Sequence, residues 1–205
     1  MFVTKESMEF NIRGITFNKE DLEVIPIDEI TAGVISHCHF FHILPNNKAI
    51  LLLRAGDYIE ESFITKYLEK GLLSLYQLEV VSREDLYEFE RLWRELKSAR
   101  SESELFLKRD AIIEKVAKDF WLQTDKSFLT LVIATFNEFY IYPDYVMDRF
   151  QGTSMVLHSR ALLTSAFSTI IALCNNYLDY SYLKDFYNTA FIMDYGLVEY
   201  ETFHY

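Results

Sequence analysis

Ser154-Met-Val-Leu-His158-Ser-Arg-Ala-Leu-Leu-Thr-Ser-Ala-Phe-Ser-Thr-Ile-Ile-Ala-Leu-Cys174-Asn-Asn176 is the stretch that decides the fold, together with Tyr182-Leu-Lys-Asp-Phe-Tyr-Asn-Thr-Ala-Phe-Ile-Met193-Asp194-Tyr-Gly196 after a short turn. The first segment reads as a long apolar helix over 154–176, closed by its Asn pair. His158 shares a face there with Ala161, Leu162, Ser165, Thr169 and Ala172. Small residues on that face let a neighbouring helix approach closely. The second segment predicts a helix over 181–194, and a third is expected over about 125–139. Pro143 and Gly152 punctuate the gap between 139 and 154. Residues 121–205 are therefore expected to form an all-α unit.

Working toward the N-terminus, residues 82–120 carry 9 basic and 10 acidic groups. Ser82-Arg-Glu-Asp85 and Ser101-Glu-Ser-Glu104 have the form of capping boxes, which start helices by satisfying orphan amides. The first helix is expected to bury Leu86, Phe89, Leu92 or Trp93, and Leu96. The second is expected to bury Leu105, Ile112, Ile113, Val116 and Phe120. Interleaved charges with i,i+4 partners mark solvent faces, so this zone is expected to be a charged helical connector.

Residues 1–81 read as a mixed α/β module. Glu23-Val-Ile-Pro-Ile27 is a short strand. Residues 33–44 and 48–53 form a hairpin across Pro45-Asn46-Asn47. A helix runs over 60–70 and stops at Gly71, a natural C-terminal cap; Leu73 to Gln77 is a final strand. The fold class expected is α+β, with the mixed module preceding the helices.

Composition narrows the functional classes. The chain has 205 residues, half of them hydrophobic, and a formal net charge of −11. It can bury a real core, and it lacks the clustered Lys and Arg that phosphate backbones require, which excludes a nucleic-acid polymer as partner. Uninterrupted apolar runs such as Ile170 to Cys174 fall short of the roughly 20 residues a membrane span needs, so no membrane partner is expected. Cys38 and Cys174 lie far apart without a CxxC partner, and the N-terminus lacks the pattern of a secretory signal. Both features point to reduced thiols and a cytoplasmic location.

The His158 segment, with Met193-Asp194 before Gly196, resembles the front of an HD-superfamily domain, and of its HD-GYP branch in particular. There, an early histidine and a later His-Asp doublet before a glycine help hold a metal. The resemblance matches His158 to the early histidine, Asp194 to the aspartate of the doublet and Gly196 to the glycine. Met193 stands where the doublet's histidine belongs, and a thioether is a poor ligand for the metals that run hydrolysis. Ser154 stands where HD-GYP proteins tend to have a glutamate, and the later histidines and Gly-Tyr-Pro motif have no counterpart before Tyr205. Upstream, Phe40 to Asp57, then Tyr67-Leu-Glu-Lys-Gly71 and Leu75-Tyr76, is similar to the small α/β module often found N-terminal to HD-GYP domains.

What the resemblance implies is a degenerate HD frame: vestigial positions at His158, Met193, Asp194 and Gly196, with no catalytic residue, metal or cofactor. His158 and Asp194 are then expected to make ordinary structural hydrogen bonds. An HD fold cut after its doublet leaves an apolar face open, which predicts association. The function expected is non-catalytic: a regulatory or scaffold protein of HD-GYP ancestry acting through protein contacts, with a homodimer expected. Two alternatives stand beside it. One is the amino-terminal part of a metal-dependent cyclic-di-GMP phosphodiesterase or related HD phosphohydrolase. The other is a non-hydrolysing nucleotide sensor that uses an aromatic C-terminal pocket.

Other clusters read as structural. His37 and His39 point to one face of a strand and His42 to the other, so they are not expected to converge, and nothing in the spacing adds His204. Asp57 after Gly56 reads as a turn residue or helix cap.

Overall fold

A computed structural model describes residues 9–122 and 127–201. His204 and the start of the helix expected from 125 lie outside the described residues. The chain divides into two compact units, 1–80 and 81–205.

In the first unit, β1 (Glu9–Ile12) and β2 (Ile15–Asn18) form an antiparallel hairpin. Arg13 and Gly14 both adopt positive φ at its tip, the two-residue turn whose twist suits a hairpin. Next come β3 (Glu23–Pro26), β4 (Cys38–Ile43), β5 (Ala49–Leu53), α1 (Glu61–Glu69) and β6 (Ser74–Glu79). The four longer-range strands form an antiparallel sheet in the order β3-β6-β4-β5. Adjacent residues of β4 feed two cores, as alternation along a strand requires. Phe40 joins Ile27, Ile59 and Leu75, with Phe63, Ile64 and Tyr67 of α1 packed against them. Phe41 joins Ala49 and the hairpin residues Phe10 and Phe17. Gly71, at φ +76°, closes α1: its N–H bonds the Leu68 carbonyl, and the Leu72 N–H reaches the Tyr67 carbonyl. That pair of bonds satisfies two carbonyls the helix leaves open.

The second unit is helical: α2 (Arg83–Ser98), α3 (Glu102–Val116), α4 (Phe128–Phe139), α5 (Asp144–Thr153), α6 (Met155–Cys174), α7 (Tyr180–Ile192) and α8 (Tyr195–Glu201). A π-helical turn, Ala117–Trp121, extends α3. The longest helix, α6, packs most extensively on α7 and also touches α3, α4 and α5. An Asn176 in the left-handed region ends it, with the Tyr177 N–H returning to the Ala172 carbonyl. The described elements are thus α+β, with the sheets confined to the first unit and every long helix in the second.

Residues 82–120 are not a separate connector. Phe89, Leu92, Trp93 and Leu96 of α2 and Ile112 and Val116 of α3 are buried, and α2 packs on α4. Most of the dense charge lies on the outer faces, with Lys115 and Asp119 buried, while an apolar stripe on each helix makes it a wall of the second unit. A further difference is α5, which occupies the expected gap: Pro143 sits just before its first turn and Gly152 lies within its last. Although its longest uninterrupted apolar run is short, α6 as a whole is long and apolar enough to cross a membrane by length and composition. More than half of that span is buried inside the protein.

Candidate functional site

The site to test is the one where α6 meets the α7–α8 turn. Ser154 caps α6, its hydroxyl accepting from the Leu157 N–H. One turn later His158 is buried on the face that also buries Ala161, Leu162, Ser165, Thr169 and Ala172. The hydroxyls of Ser165 and Thr169 bond to carbonyls one turn back in their own helix, at 2.7 and 2.9 Å. Among the described residues neither ring nitrogen of His158 has a hydrogen-bond partner, so the structural bond expected there is not made among them. Desolvation pushes its pKa down to about 4, and the imidazole is neutral at pH 7.

Asp194 lies in the turn after α7, where its carbonyl accepts from the Leu197 N–H. Its carboxylate accepts from Arg160 Nε at 2.7 Å. Arg160 is two residues from His158, which places it roughly 200° around the helix. The imidazole therefore faces the core while Asp194 is engaged on the outer side of α6. The structure brings Asp194 to Arg160, not to His158. Met193 is 65% exposed, and a Cβ added to Gly196 would meet open space. Among the described residues, no three His, Cys, Asp or Glu side chains are placed to hold a metal ion.

Arg160 is the residue that sequence reasoning missed. Its signal was present: it is the single charged side chain in the 20 residues of α6. Lys115 was missed as well. Its ammonium lies 2.6 Å from Asp119, 2.7 Å from Glu88 and 3.6 Å from Asp85. Burial opposes that charge, but hydrogen bonds to Asp119 and Glu88 prevail and hold the pKa above the usual lysine value. Lys115 and Asp119 help line an open groove of about 250 Å³ between α2 and α3, with Arg91 and Lys118. Within the groove Lys115 is neutralised by the carboxylates around it, which suits a staple between helices better than a ligand subsite.

The aromatic residues of the second unit pack on one another. Tyr140 stacks on Phe136 at 4.4 Å and meets Phe191 edge-on at 5.3 Å, and Tyr187 is fully buried against Phe139. Burial raises the Tyr140 and Tyr187 pKa values, so both phenols stay protonated. Tyr180 is raised by burial and by its hydrogen bond to Glu138.

In the first unit, His39 Nδ1 accepts from the Ala55 N–H at 2.9 Å, and desolvation followed by the nearby Arg54 charge lowers its pKa. Asp57 closes the Arg54–Asp57 turn by accepting from the Arg54 N–H at 3.0 Å.

Comparison with protein-family models, curated proteins and solved structures finds no match to this chain.

Proposed function

We propose that this chain is a non-catalytic regulatory or scaffold protein of HD-GYP ancestry, acting through protein–protein contacts in the cytoplasm. The observation that carries the reading is the separation of His158 from Asp194. A hydrolytic metal centre needs imidazole and carboxylate ligands converging on one cation. Here the imidazole is buried on the core side of α6, and the carboxylate is bound to a guanidinium on the other side of the helix. The exposed apolar residues of α6 supply what a scaffold requires, a surface suited to another protein.

The test is elemental analysis of the purified full chain with an assay of cyclic-dinucleotide and phosphodiester hydrolysis in added manganese or iron. The expected result is substoichiometric metal and no turnover above the metal-only control. Stoichiometric metal with turnover that His158→Ala abolishes would overturn the reading.

A further inference from the structure

The turn Arg54-Ala-Gly-Asp57 leads from β5 toward α1, and one of the bonds that hold it can be switched by a proton. Gly56, at φ +92°, lets the chain reverse, and the Asp57 N–H returns to the Arg54 carbonyl. The Gly56 N–H bonds the Ser36 carbonyl at 2.8 Å, and the Ser36 N–H bonds the Asp57 carbonyl at 2.9 Å. These amide–carbonyl bonds are indifferent to mild acid. The Ala55 N–H differs, because its acceptor is Nδ1 of His39 on β4, 2.9 Å away. A ring nitrogen accepts only while it keeps its lone pair, so this bond selects the neutral tautomer with its proton on Nε2. Imidazolium donates from both nitrogens, and protonation sets one N–H against another.

The surroundings of His39 make that conflict costly. The ring is half-buried, 6.2 Å from the buried ring of Phe41. Its titratable and charged neighbours are Arg54 and Asp57 of the turn and His37 two residues upstream. On β6, Tyr76 and Glu79 pair with Phe41 and Cys38 to either side of it. Burial disfavours the charged ring first, and the Arg54 guanidinium second. The Asp57 carboxylate is itself engaged by the Arg54 N–H at 3.0 Å. Opening the turn relieves the conflict, since it moves the ring into water and away from the Ala55 N–H.

We infer that His39 is a proton-operated latch, which holds the 54–57 turn against β4 when neutral and releases it when protonated. In the open turn the ring takes up its proton near the ordinary value of 6.5, and in the closed turn at lower pH. Opening is therefore insensitive to pH above that value. It is promoted as pH falls below it, by up to about tenfold per unit, until the closed form protonates too. The Gly56 and Ser36 amides, next along the same turn, loosen with it. The latch gives the first unit an acid input, and it stands whether or not the second unit is catalytic.

Amide exchange resolved by NMR on the isotope-labelled full chain, between about pH 7.5 and about pH 5.5, tests this. The expected result is that Ala55 exchange, corrected for its intrinsic rate, accelerates at least about threefold as the His39 ring titrates. The Ile59 amide, bonded to the Val34 carbonyl, serves as the reference and stays constant. The ring nitrogen shifts of the parent chain give a readout that needs no variant, and a proton on Nδ1 at neutral pH overturns the inference. His39→Asn places a carbonyl oxygen where Nδ1 lies, an acceptor that does not titrate. It should keep Ala55 protected and lose the acid response, whereas Asp57→Asn should retain that response. Ala55 exchange that ignores pH in the parent overturns the latch, as does equal acceleration at Ile59. An acid response kept in His39→Asn and lost in Asp57→Asn also overturns it, by assigning the switch to the carboxylate.

Discussion

Asn188 of α7 closes the C-terminal end of α4 by donating from Nδ2 to the Phe139 carbonyl at 2.8 Å. The same side chain accepts from the Ile141 N–H at 3.3 Å, and its Nδ2 also reaches the Lys184 carbonyl. One buried amide thus holds both sides of the α4–α5 corner. Asn188→Leu leaves those backbone groups without their partner and is expected to lower unfolding stability by about 2 to 4 kcal/mol. Urea denaturation followed by circular dichroism measures it. A loss below about 0.5 kcal/mol would sink the claim that Asn188 is a structural clamp.

His158 makes stability fall in acid. Its folded pKa of about 4 lies below the ordinary value of 6.5. Between those values the unfolded chain takes up a proton that the folded chain refuses. The contribution is therefore complete above pH 6.5, declines as the pH drops toward 4 and levels off below that, by about 3 kcal/mol in total. His158→Leu should remove this component of the slope and fold at least as stably at pH 7, since no hydrogen bond is lost. Unfolding midpoints at several pH values compare the two proteins; parallel profiles would contradict the assignment.

Lys115 and Asp119 are a buried pair whose halves depend on each other, with side chains 10% and 8% exposed. Lys115→Met strands a buried carboxylate and is expected to cost about 3 kcal/mol, whereas Lys115→Met combined with Asp119→Leu should recover most of that loss. A double-mutant cycle on unfolding free energies provides the measurement. Strict additivity of the two single changes would refute the coupling.

Asp194→Asn separates a structural carboxylate from a metal ligand. Its partner Arg160 is half exposed, so the pair is expected to contribute less than about 1 kcal/mol. Manganese titration by calorimetry should give the same weak or null signal for both proteins. A binding isotherm present in the parent and lost in Asp194→Asn would mean that Asp194 is a ligand.

The sequence made the β4–β5 hairpin, α1 with its Gly71 cap, α2, α3 and α6 legible, because each combines a clear apolar period with a turn or cap residue. The hairpin of β1 and β2 was missed although Phe10, Ile12, Ile15 and Phe17 alternate around Arg13-Gly14. Strands of four residues give periodicity little length to register. The helix α5 was hidden because Pro143 and Gly152 read as breakers, whereas proline is tolerated where a helix begins and glycine near its end. At the candidate site, the burial of His158 followed from its small-residue face. The pairing of Asp194 with Arg160 was not legible, since which side of α6 receives the α7–α8 turn depends on tertiary packing across 34 residues.

The division at Val80 and Val81 is contiguous in sequence, with one unit complete before the other begins. That order favours folding during synthesis, in which an amino-terminal unit can close its sheet while the helices are still being made. The long apolar α6 comes last but two among the described helices. It meets α3, α4 and α5, already made, within its own unit, and its most extensive partner, α7, follows directly.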